Sequence, residues 1–148
     1  MGCSIFQQCS ELEDIRFKNK PVTIPRGMFE YCYALEEISI PETVTEIEFN
    51  AFSKCKSLRI VNLPDGVKAL GHYIFSECTS LKHIDIPDSV TTIGESAFSS
   101  CSSLEEIYIP KNVTNMYGNQ FTNCISLKII DVDKESEFLT AEDNVLYT

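Results

Sequence analysis

Residues 75–98 read FSECTSLKHIDIPDSVTTIGESAF, and the chain writes that sentence about six times. Phe6, Phe29, Phe52, Phe75, Phe98 and Phe121 fall at a constant step of 23 residues. Three places after each stands Cys9, Cys32, Cys55, Cys78, Cys101 or Cys124, and three further on Leu12, Leu35, Leu58, Leu81, Leu104 or Leu127. Ile15, Ile38, Val61, Ile84, Ile107 and Ile130 follow, and two later Phe17, Ile40, Leu63, Ile86, Ile109 and Val132. Four units continue with Pro41, Pro64, Pro87 or Pro110 and then Val44, Val67, Val90 or Val113; Ile47, Leu70, Ile93 and Met116 lead to the next phenylalanine. A fixed period in the range of about 20–50 residues, free of insertions, is the signature of a solenoid.

One such unit cannot fold alone. It offers about six apolar side chains, worth roughly 1.5–3 kcal/mol each when fully buried. Ordering its backbone costs on the order of 1–2 kcal/mol per residue. Stacking like coils covers both sides of each apolar layer and lets every rung pair with the next, so stability is shared between neighbours.

Within a unit the alternation Ile84, Asp85, Ile86 predicts a short strand with one buried face, stopped by Pro87, which has no N–H to donate. The β-branched Val90-to-Ile93 segment predicts a second short strand on the opposite side, and the spacing of Ala97, Phe98 and Cys101 a tight helical or 3₁₀ turn. The 148 residues are expected to form one domain, with units at 6–28, 29–51, 52–74, 75–97, 98–120 and 121–148, the last diverging after Val132.

This unit resembles the BspA-like leucine-rich repeat, C-x-x-L-x-x-I-x-I-P-x-x-V-x-x-I-G-x-x-A-F, over nearly the whole chain, with its Ile-Gly at Ile93-Gly94 and Leu70-Gly71. The resemblance implies a β-rich repeat solenoid of the α/β leucine-rich-repeat class, a right-handed superhelix. It implies short parallel strands on a concave face and the second strands and turns elsewhere. Thr43, Gly66, Ser89 and Asn112 stand where the ordinary leucine-rich pattern has Asn or Cys, so its asparagine ladder is absent. The family is known for secreted and surface-exposed proteins, so an extracellular parent is what the resemblance implies.

The net charge of -10 argues against a nucleic acid partner, since no basic stripe meets phosphates. A hydrophobic fraction of 43% without an apolar run near 18 residues argues against a membrane span. The seven cysteines suggest disulfides by number but not by position. Six share one repeat place and stack in file at rungs about 4.8 Å apart, whereas a disulfide wants Cβ atoms near about 3.8 Å. They are expected to be buried, reduced thiols acting as small hydrophobes. A single file also cannot surround zinc. Cys3 stands outside the ladder.

Met1-Gly2-Cys3 runs straight into a repeat, with no signal peptide and with Phe6 where a myristoylation pattern wants Ser or Thr. The first unit is worn: Lys18 replaces the proline and Pro21 stands at the valine place, yet the core letters persist without a polar cap. A fragment of something longer is the expectation. After Val132 the charged run 133–137 precedes Phe138 and Leu139, and Asp143-Asn144 before Val145-Leu146-Tyr147 predicts a closing hairpin, with the parent continuing past Thr148. Open end coils are sticky edges, which makes end-to-end self-association an expectation as well.

Chemistry is hard to find. His72 and His83 occupy different repeat places, and no phosphate loop, nucleophile elbow or metal-spaced Cys/His set occurs. Ser99, Ser100, Ser102 and Ser103 are turn material, and Asn112-Val113-Thr114 is a glycosylation sequon that matters only in a eukaryotic secretory pathway. No catalytic residue, cofactor or metal is expected.

What remains is the outward face of the main strand. One column reads Asp14, Glu37, Ile60, His83, Glu106, Ile129 and the other Arg16, Ser39, Asn62, Asp85, Tyr108, Asp131. Core letters hardly vary along the array, while these columns change at every rung. Taken singly they are solvated strand residues; together they form the candidate protein-binding face, with Ile60, Tyr108 and Ile129 as apolar anchors. The leading expectation is a non-enzymatic protein-binding module of a surface or secreted adhesin-like protein, with a host or matrix protein as partner. A structural spacer or stalk without a ligand is the alternative, and an enzyme or cation site on the acidic columns a third.

Overall fold

The computed structural model describes residues 5–142 and 145–147. Cys3, the Met-Gly-Cys start and the Asp143-Asn144 turn lie outside the described residues. In chain order the strands are β1 (Thr23–Ile24), β2 (Glu37–Ser39), β3 (Glu46–Ile47), β4 (Ile60–Asn62), β5 (Ala69–Leu70) and β6 (Thr92–Ile93), then β7 (Glu106–Ile109), β8 (Asn115–Met116), β9 (Ile129–Val132), β10 (Thr140–Glu142) and β11 (Val145–Tyr147). The fold is a parallel-strand β-solenoid. Its turns stack with equivalent letters over one another: Thr23 pairs with Glu46, Glu46 with Ala69, Ala69 with Thr92 and Thr92 with Asn115.

Those pairings make the V-x-x-I side one continuous five-stranded sheet, β1-β3-β5-β6-β8. The main-strand side is less regular than the repeat suggests. There β2 pairs only with β4 and β7 only with β9, both parallel. Residues 82–86 between them, and 13–17 before β2, run without strand pairing. Glu105 N–H still donates to the Lys82 carbonyl at 3.1 Å. The fourth turn keeps its register through burial, Ile84 and Ile86 being 1% and 5% exposed, with the opposite sheet holding the stack.

The Phe-x-x-Cys segments are single turns, in which each cysteine N–H donates to the phenylalanine carbonyl three residues back (Cys78 to Phe75, 3.0 Å). None continues into a helix among the described residues. The reason is local: Gln8, Tyr31, Lys54, Glu77, Ser100 and Asn123, the residue before each cysteine, all sit at φ near 60°. A left-handed residue ends a right-handed turn. It also aims its N–H along the stack, and a third ladder results: Tyr31 donates to the Ser53 carbonyl at 3.0 Å, Lys54 to Ser76 at 2.7 Å and Glu77 to Ser99 at 2.8 Å.

The core is the repeated alphabet laid in files. The phenylalanine rings stack from Phe6 to Phe121 with centroids 5.7, 5.4, 5.7, 5.8 and 6.0 Å apart. Phe29, Phe52, Phe75 and Phe98 are fully buried, while the two end members are only partly covered. The glycines of the Ile-Gly pairs are set by contact between turns. A Cβ on Gly94 would lie 2.4 Å from His72 N, and one on Gly71 2.5 Å from Phe49 N. After β9 the chain closes in the antiparallel hairpin β10-β11, with Thr140 opposite Tyr147, and β10 packs beside β9.

Candidate functional site

Short outward strand segments position the two columns. Strand pairing sets Glu37 beside Ile60 and Ser39 beside Asn62, then Glu106 beside Ile129 and Tyr108 beside Asp131. Asp14, Arg16, His83 and Asp85 occupy the same places on the two turns that lack strand pairing. All twelve residues are exposed. Ile60 and Ile129 are each half exposed, at 50%, although both are β-branched apolar residues on a sheet.

The polar members bind mostly to one another. Arg16 Nε donates to Asp14 Oδ2 at 2.8 Å, and Asn62 Nδ2 to Ser39 Oγ at 3.0 Å. His83 sits between two carboxylates, with Nε2 2.8 Å from Asp85 Oδ1 and Nδ1 3.7 Å from Glu106 Oε1. The Tyr108 hydroxyl donates to Asp133 Oδ2 at 2.7 Å. That bond pushes the Tyr108 phenol up to about 12. Asp133 is held below the usual carboxylate range, first by the Glu135 N–H and then by the Tyr108 hydroxyl. Exposed pairs of this kind add little to stability, on the order of 0–1 kcal/mol each; they arrange the surface instead.

A third outward lane escaped the sequence reading. Glu13, Glu36, Arg59, Lys82, Glu105 and Lys128 directly follow the core leucines, and all are exposed. Arg59 pairs with Glu36, and Lys128 Nζ reaches Glu105 Oε2 at 3.5 Å. A charge after the leucine in every unit was the available signal. His72 lies away from this face, stacked near Tyr117 at 6.2 Å and accepting the Glu95 N–H on Nδ1 at 3.1 Å.

Among the described residues, Cys9, Cys32, Cys55, Cys78, Cys101 and Cys124 lie in one file as free thiols, Cys9 exposed and the next four buried. From Cys32 onward each donates to the phenylalanine carbonyl of the preceding turn: Cys55 Sγ to Phe29 O at 3.1 Å, Cys78 to Phe52 O at 3.2 Å and Cys101 to Phe75 O at 3.1 Å. Burial pushes these thiols up, Cys32 to about 11 and Cys78 well beyond the ordinary 9.0. Neutral thiols are poor nucleophiles. Among the described residues no group of three or more His, Cys, Asp or Glu is placed to hold a metal ion, and no helix is long and apolar enough to cross a membrane.

The sequence pattern described as the BspA type leucine rich repeat region matches in six copies, over residues 1–59 and 22–144. The chain belongs to the BspA-type leucine-rich repeat family. Solved leucine-rich repeat proteins resemble it in fold as well. A leucine-rich repeat protein of T. pallidum is 34% identical with a TM-score of 0.71, the match covering 74% of this chain and 51% of that one. A leucine rich cell surface protein of Faecalibacterium prausnitzii is also 34% identical, with a TM-score of 0.79 over 83% of this chain and 33% of that one. A leucine-rich repeat protein of Eubacterium ventriosum is 27% identical, with a TM-score of 0.71 over 84% and 33%. The BspA-type chain thus spans a third to a half of the length of these relatives. No protein of curated function matches the sequence.

Proposed function

We propose that this BspA-type repeat array is a non-enzymatic protein-binding module of a cell-surface or secreted, adhesin-like protein, forming one domain of six units over residues 1–148. The observation that carries the reading is the pair of register-aligned outward columns in which Ile60 and Ile129 stand 50% exposed. An apolar β-branched residue left in water on a strand face gains free energy when a partner covers it. The relative from F. prausnitzii bears the description of a cell surface protein, which supports the compartment. The charge of -10 favours a partner that presents a basic patch, since complementary fields raise the association rate. End-to-end self-association of the array is part of the same proposal.

The test is capture of host and matrix proteins by the wild type and by a triple variant, Glu37→Lys, Asp85→Lys and Glu106→Lys. Capture is expected to weaken with the melting temperature unchanged. If the wild type captures none of the panel, the binding reading fails and the stalk without its own ligand takes its place.

A further inference from the structure

Where the repeat gives way after Val132, the chain stands a loop against the flank of the preceding turns, and a groove of about 710 Å³ runs between them. That volume lies in the range of roughly 300–1,000 Å³ common to small-molecule sites. Lys68, Asp88, Thr91 and Thr114, from three successive turns, build one side; Glu137 and Phe138 of the loop build the other. The groove does not touch the outward columns.

The loop is held before any ligand arrives. Glu135 N–H donates to Asp133 Oδ1 at 2.8 Å, Ser136 N–H to the Asp133 carbonyl at 2.8 Å and Leu139 N–H to Ser136 Oγ at 3.1 Å. Lys111 Nζ donates to Glu135 Oε2 at 2.6 Å, tying the loop to the fifth turn, and Leu139 anchors it in the core at 3% exposure. A fixed wall loses little entropy on binding.

The lining decides the ligand class. Thr91 Oγ1 donates to the Lys68 carbonyl at 3.2 Å and Thr114 Oγ1 to the Thr91 carbonyl at 3.4 Å. With their hydrogens directed to the backbone, both oxygens keep acceptor capacity, Thr114 Oγ1 having one lone pair taken by Asn115 Nδ2 at 3.0 Å. The Lys68 ammonium and the Asp88 and Glu137 carboxylates form no ion pair among the described residues. Lys68 and Lys111 nearly balance Asp88, Glu135 and Glu137, so neither a polyanion nor a polycation fits. Next to Leu139, Phe138 lines the groove with its aromatic side chain 51% exposed. Such a lining suits a molecule with an apolar C–H face and a rim of hydroxyls, each both donor and acceptor. We propose that this groove binds a neutral oligosaccharide, with Phe138 stacking on one pyranose ring and Lys68, Asp88 and Glu137 hydrogen-bonding its hydroxyls.

The experiment passes the wild-type chain over a printed array of neutral and anionic glycans, then titrates it calorimetrically with the neutral glycan retained most strongly. Neutral glycans are expected to be retained. Phe138→Ala and Asp88→Ala should each weaken that affinity by roughly tenfold or more without moving the melting temperature. The triple variant of the outward columns should bind the glycan as the wild type does, which separates this proposal from the protein-binding one. An array that retains no neutral glycan, or only anionic ones, overturns it; so does an affinity indifferent to Phe138→Ala.

Discussion

The Cys78 thiol donates to the carbonyl oxygen of Phe52, one turn back, at 3.2 Å, and the same oxygen accepts the Cys55 N–H at 3.2 Å. One carbonyl thereby joins two turns, and Cys78 is more than a small apolar filler. Cys78→Ala removes a buried donor and leaves a small void, and should destabilise by about 1–3 kcal/mol. Cys9→Ala, on an exposed residue, should stay within about 0.5 kcal/mol. Urea denaturation of the two variants gives the comparison, and equal midpoints would contradict the bridging role.

The same burial ties stability to alkaline pH. Burial holds the folded thiols above their ordinary value of 9.0: Cys32 is pushed up to about 11, Cys55 and Cys101 further, and Cys78 well above 9.0. Desolvation is the leading cause in each. A raised folded pKa means the folded state keeps protons that the unfolded chain releases. The contribution is therefore intact below the unfolded value and declines as pH rises from there through the folded values. The urea midpoint should fall above about pH 9, less steeply in Cys78→Ala. In a Cys3→Ala, Cys9→Ala background, thiolate absorbance in the native protein already at pH 9 would rule this out.

The core was legible in the sequence because each of its letters recurs at one place per turn. Phe52, Cys55, Leu58, Val61, Val67 and Leu70, named from periodicity, are all buried. What escaped was backbone geometry. The left-handed place before each cysteine holds Gln8, Tyr31, Lys54, Glu77, Ser100 and Asn123, six residue types without a glycine. There the ladder with the next turn outweighs intrinsic preference. The break in the main-strand sheet at residues 82–86 was hidden for a related reason, since His83, Ile84 and Asp85 alternate like their paired counterparts. On the candidate face, alternation revealed which residues point outward but not their bonds across turns, such as Tyr108 to Asp133.

The Ile-Gly pairs make a sharper mutational forecast. At Gly94 a Cβ would fall 2.4 Å from His72 N and 2.6 Å from the Gly71 carbonyl carbon, both backbone. Backbone cannot swing away as a flexible side chain does, so Gly94→Ala must pry two turns apart. A loss of about 1–3 kcal/mol or more is expected. At Gly66 the nearest atom is the Val44 carbonyl oxygen at 3.3 Å, a contact relieved by a small shift. Gly66→Ala should therefore cost clearly less. Thermal melts of the two variants make the comparison, and a reversed order would show that the close approach at Gly94 is not what its glycine serves.

Tyr108 and Asp133 allow a direct spectroscopic check of a bond on the candidate face. The phenol donates to Asp133 Oδ2 at 2.7 Å, and its ionisation would both break that bond and set two anions side by side, so it is pushed up to about 12. Asp133→Asn removes the charge, and the phenol should return toward its ordinary 10.0. For Tyr108 the raised value means that any stabilisation is whole below about 10 and is lost on the way to 12. For Asp133 the lowered value places its loss on the acid side, as pH falls below 3.8. Tyr108 is exposed and Asp133 partly so, so the titration curve and not the melting temperature carries the signal. In an ultraviolet phenolate titration of the wild type, one of the six tyrosines should trail the others. That last step should move to lower pH in Asp133→Asn and vanish in Tyr108→Phe. Superimposable wild-type and Asp133→Asn curves would mean that the phenol and the carboxylate do not meet in solution.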